Sequence, residues 1–249
     1  MSVAVQAFGG ILKADARNVY RDSFLVYAFV LPVVMGVAGN LAIPPLTDAL
    51  AARTGFDLTL YWPLITGYYM LLSVPVLMGT IVGFLLIDER DEHVLSAIQV
   101  TPVPLPAYLC YRVALPAVLS IVLSTLGWWL TGLSALPPGA MALAACGAAP
   151  LAPATMLFLA GWAANKIQAF ALLKIISAFM LVPVAAYFVP TPWQYAVGAV
   201  FPPYWPMMAA WSWEAGQWGR GLGGLGLSLV LNTGVTALLL RHYLRRAYR

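Results

Sequence analysis

Charged side chains are scarce in this 249-residue chain, in which 9% of the residues are charged and 62% are hydrophobic. Soluble domains have about a quarter of their residues charged and roughly half apolar. The mean hydropathy of +0.85 therefore excludes an ordinary soluble domain and predicts an integral membrane protein. The net charge of +4 is attributed to membrane topology and anionic lipid, so no nucleic-acid partner is expected.

Side chains that carry out chemistry at depth in a membrane are also rare. The two histidines, His93 and His242, lie outside the long apolar stretches, and no Asp or Glu lies in the middle of one. A zinc protease needs a His-Glu-x-x-His pair, and a serine protease needs a histidine beside its serine. Neither site can be assembled, so we expect no catalytic residue, no metal site and no enzyme. The lack of buried carboxylates also disfavours a proton- or sodium-coupled transporter.

A nucleotide-binding loop of the form Gly-x-x-x-x-Gly-Lys-Ser/Thr does not occur in the sequence, nor does a soluble segment large enough to hold one. If this protein moves a solute, the energy must come from another chain, and we expect no cofactor on this one. Cys110 and Cys146 lie within apolar stretches and are predicted to be small buried hydrophobes.

Long apolar sequence is what the chain has in abundance. A bilayer core about 30 Å thick is crossed by about 20 mostly apolar residues in a helix, and six stretches satisfy this. They are too long and alternate too poorly for barrel strands, so they predict one all-α membrane domain. Pro44 and Pro45 are expected to end the first span and to open an outer connection, 44–62. The predicted spans are 23–43, 63–87, 107–132, 140–163, 168–189 and 221–240.

The distribution of Lys and Arg predicts the orientation, because basic residues near helix ends are retained in the cytoplasm. With the N-terminus inside, only Arg53 and Arg220 of the 13 basic residues fall on the outer side. We therefore expect a multi-pass protein of the cell membrane with both termini in the cytoplasm. The basic residues on or near the inner side are Lys13, Arg17, Arg21, Arg90, Arg112, Lys166, Lys174, Arg241, Arg245, Arg246 and Arg249.

Residues 5–22, before the first span, have two separate faces. Apolar residues recur at intervals of three and four from Phe8 to Val19, while Lys13, Arg17 and Arg21 step by four along another side. This pattern predicts an amphipathic helix at the inner lipid surface. The alternative is a ragged cytoplasmic tail.

The outer connection 190–220 holds five of the nine tryptophans and five prolines. Indole rings prefer the headgroup region, and proline clusters break helices. The pattern predicts two short segments that form a re-entrant hairpin. Glu214 within it is a candidate gate or cargo contact, and the alternative is a solvated or ion-paired carboxylate. The tryptophans are Trp193, Trp205, Trp211, Trp213 and Trp218.

Isolated polar residues and glycine pairs within the spans are expected to serve packing. Lys174 is close enough to the inner end of its span for its ammonium to reach the headgroups; the alternative is a counter-ion for the substrate. Asn40 and Asn232 are expected to form hydrogen bonds between helices rather than to bind ligands. Glycines four residues apart predict close helix contacts within the chain. These pairs are Gly79 with Gly83 and Gly219 with Gly223.

The sequence DERDEHVLSAIQVTP, residues 88–102, begins the one long polar connection between spans on the inner side. Its acids are expected in the first turns of a short helix, about 88–100, where free N–H groups favour negative charge. Val94, Leu95 and Ile98 then share one face, and the prolines that follow end the helix. Such a helix fits a groove on another protein. The alternative is a solvated loop, and the residues alone leave both open.

Four stretches carry a family resemblance that covers nearly the whole chain. They are Glu89-Arg90-Asp91-Glu92 with Leu95-Ser96-Ala97-Ile98 and Thr101-Pro102, RDSFLVYAFVLP at 21–32, NKIQAFALLK at 165–174 and PPYWP at 202–206. The first two stretches resemble the permease subunit of type-2 ATP-binding cassette (ABC) exporters. The last two resemble the fluoroquinolone export permeases, a subgroup of that family.

The resemblance implies six spans, an N-terminal interfacial helix, a cytoplasmic coupling helix and an outer re-entrant hairpin before the last span. It also implies two paired permeases, either two copies or this chain with a paralogue. Each docks a separate ABC ATP-binding subunit, which carries ATP and Mg. Glu89 and Arg90 are expected to pair with charges on that subunit or on the interfacial helix. The implied docking residues are Glu89, Arg90, Asp91, Glu92, Leu95, Ile98, Thr101 and Pro102.

Two functions from different classes fit these observations. The first is the membrane-spanning subunit of an ATP-driven exporter for a small amphipathic, drug-like or lipid-like compound. The second is a membrane anchor or assembly protein that recruits a cytoplasmic partner without transport. Copurification with an ATPase distinguishes the first from the second.

Overall fold

The computed structural model describes residues 23–92 and 105–247, together with Arg17 and Tyr20, and the regular elements among these residues are all helices. Six helical runs within them are long and apolar enough to cross a membrane. The prediction of an all-α membrane protein with six spans is therefore confirmed. The runs are Phe29–Thr54, Leu58–Asp91, Ala107–Thr131, Pro138–Trp162, Lys166–Ala186 and Trp218–Arg245.

The described residues form ten α-helices, which we number along the chain. A 3₁₀ turn, Leu58–Tyr61, precedes the second helix, and a π-helical turn, Gly67–Ser73, joins the second helix to the third. The helices are α1 (Ser23–Thr54), α2 (Trp62–Thr66), α3 (Val74–Asp91), α4 (Leu105–Thr131), α5 (Pro138–Ala148), α6 (Leu151–Trp162), α7 (Lys166–Ala186), α8 (Thr191–Val200), α9 (Tyr204–Glu214) and α10 (Trp218–Ala247).

The second and fourth spans form the centre of the bundle. In their most apolar stretches 83% and 72% of the residues are buried, against 28% or fewer in the other four spans. Those four spans therefore turn most of their apolar surface outward, toward lipid or a partner chain. We call the end of the bundle that holds Asp88–Glu92 the inner end, following the predicted orientation, and the opposite end the outer end.

Two glycines allow α3 and α6 to approach closely at this centre. A methyl group added at Gly79 would overlap the backbone carbonyl of Ala152, and one added at Gly83 would lie 3.4 Å from Leu159. The pair thus packs within the chain, as predicted. At Gly219 and Gly223 of α10, by contrast, an added methyl group would meet no atom within 4 Å, so the prediction of a close helix contact within the chain is wrong for this pair.

Helix α1 continues through Pro44 and Pro45, so the prediction that these prolines end the first span is wrong. A proline removes the hydrogen bond to the carbonyl four residues earlier. The next turn nevertheless forms, and the Thr47 hydroxyl donates to the Ile43 carbonyl at 2.9 Å within it. The helix ends just before Gly55, whose φ of 71° is a conformation that glycine adopts without strain.

The π-helical turn Gly67–Ser73 interrupts the second span. Pro75 has no N–H, and its ring would clash with the carbonyl four residues earlier in a regular α-helix. The helical turn before Pro75 therefore contains one extra residue. Within it the Ser73 hydroxyl donates to the Tyr68 carbonyl, five residues back, at 3.1 Å. π-Helical turns are rare in proteins, and those that occur often lie at functional sites.

The fourth span is broken between α5 and α6. A break at membrane depth leaves carbonyls without helical partners, and neighbouring groups must satisfy them. Helix α10 supplies such a group to Gly147, whose carbonyl accepts from Ser228 at 2.8 Å. Thr236 donates at 2.9 Å to the Pro150 carbonyl, which also accepts the Ala154 N–H of α6. Hydrogen bonds that lipid cannot replace therefore fix α10 against the centre.

The segment between α7 and α10 forms two short helices, α8 and α9, where two short segments are predicted. At the turn between them the Pro202 carbonyl accepts a hydrogen bond from the Asn232 amide at 3.3 Å. Asn232 lies about 21 Å from the start of α10 at about 1.5 Å per residue, so this turn lies deep in the bundle. Asn232 is an interhelical hydrogen bonder, as predicted.

Three of the five hairpin tryptophans point into the chain, so the preference of indole for the headgroup region does not describe them. Trp205 and Trp213 are 7% and 2% exposed, and Trp211 donates to a backbone carbonyl of α2 at 3.3 Å. Trp193 and Trp218 remain exposed. An indole N–H that meets a carbonyl needs no water, which is why tryptophan alone does not identify an interfacial position.

Predictions for the isolated residues within the spans are also confirmed in part. The Asn40 amide of α1 donates to the Thr131 carbonyl of α4 at 3.1 Å, which confirms its interhelical role. Lys174 is exposed on α7, about 12 Å from the start of that helix. Cys146 is half-buried, but Cys110 is exposed on α4, so the prediction that it is buried is wrong.

Gly79→Ala should destabilise the chain even though alanine is the better helix former. The added methyl group forces α3 away from the Ala152 carbonyl, and overpacking of this kind costs about 1–3 kcal/mol. Gly223→Ala is the matched control, and it should be neutral or stabilising because only helix propensity changes. Thermal unfolding in detergent measures both. Equal midpoints for the two variants would contradict the close contact.

Candidate functional site

The acidic run Asp88–Glu92 lies at the inner end of α3. Asp88 to Asp91 occupy the last turn of this helix and Glu92 ends it, so the prediction that these acids begin a separate helix is wrong. Within this last turn, Glu89 bonds to α4 and Arg90 bonds to the turn between α6 and α7. Residues 93–104 lie outside the described part of the chain, and the rest of the coupling helix stays a prediction. Its docking residues there are Leu95, Ile98, Thr101 and Pro102.

Glu89 is bonded to two side chains of α4. Its carboxylate accepts a hydrogen bond from the Tyr108 hydroxyl and forms an ion pair with Arg112. Arg112 also donates from Nε to the Tyr108 oxygen at 2.9 Å, which closes a network of three side chains. The side chain of Arg112 is 2% exposed and that of Glu89 is 16% exposed. Each charge depends on the other, because a buried charge without a partner is strongly unfavourable.

Arg90 ties the inner end of α3 to the turn between α6 and α7. Its terminal nitrogens donate to the carbonyls of Ala163 and Ala164 at 2.9 and 2.7 Å. These carbonyls follow the C-terminal end of α6, where a positive charge also meets the negative pole of the helix. The surface ion pair of Asp88 with Lys166, at 2.8 Å, adds a second link.

The α6–α7 turn is also held by its own side chains. The Asn165 side chain accepts from the Gln168 N–H at 3.0 Å, and the Gln168 side chain accepts from the Ala164 N–H at 2.8 Å. This reciprocal arrangement resembles a capping box and fixes the first turn of α7. The end of α3, the end of α6 and the first turn of α7 are therefore joined by short hydrogen bonds.

Asp91 and Glu92 are exposed beyond this network. The Asp91 carboxylate is 58% exposed and lies 3.6 Å from Arg90 Nε, a surface contact that contributes little to stability. The acidic run is thus divided. Glu89 and Arg90 pair within the bundle, and their pairing with another chain or with the interfacial helix stays a prediction. Asp91 and Glu92 are exposed at the surface.

Tyr108 and Arg112 belong to this site without having been predicted for it. The sequence marks Arg112 only as one of the basic residues that set the topology. A stronger signal is its position within an apolar span, one turn after a tyrosine on the same helix face. A guanidinium in that position needs a carboxylate partner. Glu89 can supply it, because Glu89 lies at the inner end of the second span and Arg112 lies near the inner end of the third.

Glu214, the predicted gate or cargo contact, lies at the outer end of α9. Its carboxylate accepts a hydrogen bond from Ser134 in the turn between α4 and α5. The Ser134 oxygen in turn accepts from the Leu136 N–H at 3.2 Å. Glu214 thus fastens the hairpin to the outer turn, and its role as a gate stays a prediction.

The interfacial helix, about 5–22, lies mostly outside the described residues. Arg17 is described as helical and exposed, whereas Lys13 and Arg21 are outside the described part. The amphipathic helix therefore stays a prediction.

Two cavities border the π-helical turn. The hydroxyl cavity, of about 250 Å³, lies between α1, α3 and α7. The α1–α4 cavity, of about 290 Å³, lies between α1, α2 and the outer end of α4. Among the described residues that line them, none is charged. The hydroxyl cavity is lined by Tyr68, Ser73, Thr80 and Ser177, and the α1–α4 cavity by Ala38, Ala42, Thr66 and Tyr69, with others.

Metal-ligating side chains do not cluster in the part of the chain that the structure describes. His, Cys, Asp and Glu form no group of three or more there that could hold an ion. In the two cavities that border the π-helical turn, the groups offered to a ligand are hydroxyls and apolar side chains.

Six helices long and apolar enough to cross a membrane, with uncharged cavities between them, define a multi-pass helical membrane protein. Comparison with known proteins is more specific. Residues 15–240 match the family described as "Fluoroquinolones export permease protein Rv2686c-like". The chain belongs to this family, so the resemblance to the fluoroquinolone export permeases is confirmed.

Two similar proteins come from Mycobacterium tuberculosis. They are the fluoroquinolones export permease protein MT2760 of strain CDC 1551 / Oshkosh and the fluoroquinolones export permease protein Rv2686c of strain ATCC 25618 / H37Rv. Each is 33% identical over 245 residues, which cover 96% of this chain and 94% of the relative. No solved structure matches the chain. Family membership supports a permease role in export and a transport subunit rather than an enzyme.

Removing Arg112 alone should destabilise the chain more than removing both partners of its ion pair. Arg112→Met leaves the Glu89 carboxylate enclosed without its counter-charge, which costs about 3–5 kcal/mol. Adding Glu89→Gln removes that charge, so the unfolding midpoint should partly recover. Thermal unfolding of the purified chain in detergent measures the difference.

The matched control for this cycle is the surface pair of Asp88 and Lys166. Lys166→Met, alone or with Asp88→Asn, should change stability by less than about 1 kcal/mol, because exposed ion pairs contribute little. Strictly additive losses at Glu89 and Arg112 would show that the two charges do not depend on each other.

Proposed function

We propose that this chain is the membrane-spanning subunit of an ATP-driven exporter that moves a small amphipathic, drug-like or lipid-like compound out of the cell. ATP and Mg bind a separate ABC subunit, which docks at the inner end on the segment that begins with Asp91 and Glu92. This chain holds no cofactor of its own. The names of the two relatives make fluoroquinolones the first cargo to test.

The observation that carries this proposal is the division of the acidic run. Asp91 and Glu92 are exposed at the end of α3, where a partner can reach them. Immediately before them, Arg90 is bonded to the α6–α7 turn and Glu89 to α4. Force applied to the exposed acids therefore passes, within one helical turn, to the second, third, fourth and fifth spans.

The proposed assembly places the inner end and both termini in the cytoplasm and the chain in the cell membrane. A second permease, either another copy or a paralogue, covers part of the apolar surface of the peripheral spans. Exposed side chains along α1 and α7, such as Val37 and Phe179, are available for that contact or for lipid.

The hydroxyl cavity is where we place the cargo within this chain. Ligand sites of this kind hold their ligand mostly by apolar contact, with a few polar groups that set its orientation. Ser73 and Thr80 donate to backbone carbonyls of their own span. Tyr68 and Ser177 are therefore the candidates for a hydrogen bond to the cargo.

Reversing the exposed acids should uncouple transport without unfolding the chain. We expect Asp91→Lys with Glu92→Lys to abolish ATP-dependent uptake of a fluoroquinolone such as norfloxacin into inside-out vesicles that contain the ATP-binding subunit. Copurification of that subunit should also weaken, because its docking surface meets charge of the wrong sign. The thermal unfolding midpoint should not change, since both side chains are exposed.

The control for this experiment is Asp48→Lys, which reverses an exposed acid in the outer part of α1. It should leave transport and copurification intact. Normal transport by the Asp91 and Glu92 double variant would show that docking does not use this segment. A chain that copurifies with a cytoplasmic partner and transports nothing would instead support the membrane anchor.

A further inference from the structure

Met35 of α1 lies between the hydroxyl cavity and the α1–α4 cavity and lines both. The two consecutive tyrosines of the π-helical turn face different cavities: Tyr68 lines the hydroxyl cavity and Tyr69 lines the α1–α4 cavity. Along both α1 and the second span, the residues of the α1–α4 cavity lie nearer the outer end, by roughly 10 Å at about 1.5 Å per residue. The two cavities are therefore neighbours at successive depths.

Helix α1 is fixed against α4 along the edge of the second cavity. A methyl group at Gly36 would lie 2.5 Å from the Gly127 carbonyl oxygen, so the two backbones touch there. One turn further out, the Asn40 amide donates to the Thr131 carbonyl at 3.1 Å. Movement of α1 toward the π-helical turn would break these contacts with α4. The small side chains of α1 that face this turn therefore leave a cavity that does not close.

We propose that the α1–α4 cavity is a second binding site for the exported compound, one step further toward the outside, and that Met35 is the partition between the two sites. This inference rests on the proposed export function. The ligand is an uncharged apolar molecule, or the uncharged part of an amphipathic one, because no described lining residue of either cavity is charged. Thr66 is bonded to its own helix, so Tyr69 is the residue that orients the ligand.

The volume of the α1–α4 cavity and the position of Met35 agree with a second binding site. A volume of about 290 Å³ lies just below the range for drug-sized ligands, about 300–1,000 Å³. It fits a short chain or one ring system, such as the quinolone ring system of norfloxacin. Met35 packs against the central core of the bundle, and an unbranched methionine side chain has several accessible conformations. Rotation of this side chain joins the two cavities without movement of a helix.

The test counts the norfloxacin molecules that the purified full-length chain binds in lipid nanodiscs, with the ATP-binding subunit absent. Wild type should bind two. Ala42→Phe fills the α1–α4 cavity and Ser177→Phe fills the hydroxyl cavity, so each should lower the count by one. Ala178→Phe is the matched control, because Ala178 is exposed like its neighbour Ser177 but lines neither cavity, and its count should stay at two.

Variants of Met35 test the partition itself. Met35→Trp should weaken binding at both sites by roughly tenfold, because an overpacked wall intrudes on each. Met35→Ala should join the sites, so that the two molecules no longer bind independently. Binding to Met35→Trp with wild-type affinity at both sites would show that this side chain is not the partition.

Four outcomes of the binding experiment overturn the second site. The first two are a wild-type count of one and a wild-type count of zero. The third is an unchanged count in both Ala42→Phe and the milder Ala42→Leu. The fourth is a bound phospholipid, seen in native mass spectra, that norfloxacin does not displace from the α1–α4 cavity. Each variant is compared with wild type in thermal unfolding first. Because no ATP is needed, failure of ATP-dependent export with two intact binding sites would refute the exporter alone.

Discussion

The Glu89–Arg112 ion pair is the contact on which the inner end of this bundle depends, because a charge enclosed among apolar helices must be met by another charge. It joins α3, in the most buried span, to α4. Arg90 beside it joins α3 to the α6–α7 turn through two backbone carbonyls. Two adjacent residues thus connect four spans, and the exposed acids that follow them give a partner access to all four.

The need to satisfy every polar group within the chain also explains the middle of the bundle. Pro75 and Pro150 interrupt the two central spans, and hydroxyls of Ser73, Ser228 and Thr236 bond to carbonyls beside these breaks. An interrupted helix no longer packs as a smooth cylinder. The π turn consequently borders both cavities, so the irregular part of the second span is also the part that can accommodate a ligand.

Much of the architecture could be predicted from the sequence, because bilayer thickness and hydropathy fix the length and number of the spans. The hairpin helices and the interhelical role of Asn232 follow from similarly local signals. The partner of Glu89 could not be predicted, since a sequence shows which residues are charged and not which ones face each other across helices. Pro44 and Pro45 were misleading because the cost of a proline depends on whether the neighbouring turns can still form, which is a property of the folded chain.

The most direct test of this account is the distance between spin labels at Glu92→Cys and Ile167→Cys, before and after ATP is added, with Cys110 and Cys146 replaced by serine. It is measured in a labelled exporter that retains its ATP-binding subunit and ATP-dependent export. If the α3 end and the α6–α7 turn move as one unit, this distance stays constant while the distance between the Glu92→Cys labels of two paired permeases changes. A change within one chain as large as the change between chains would contradict the transmission of force through Arg90.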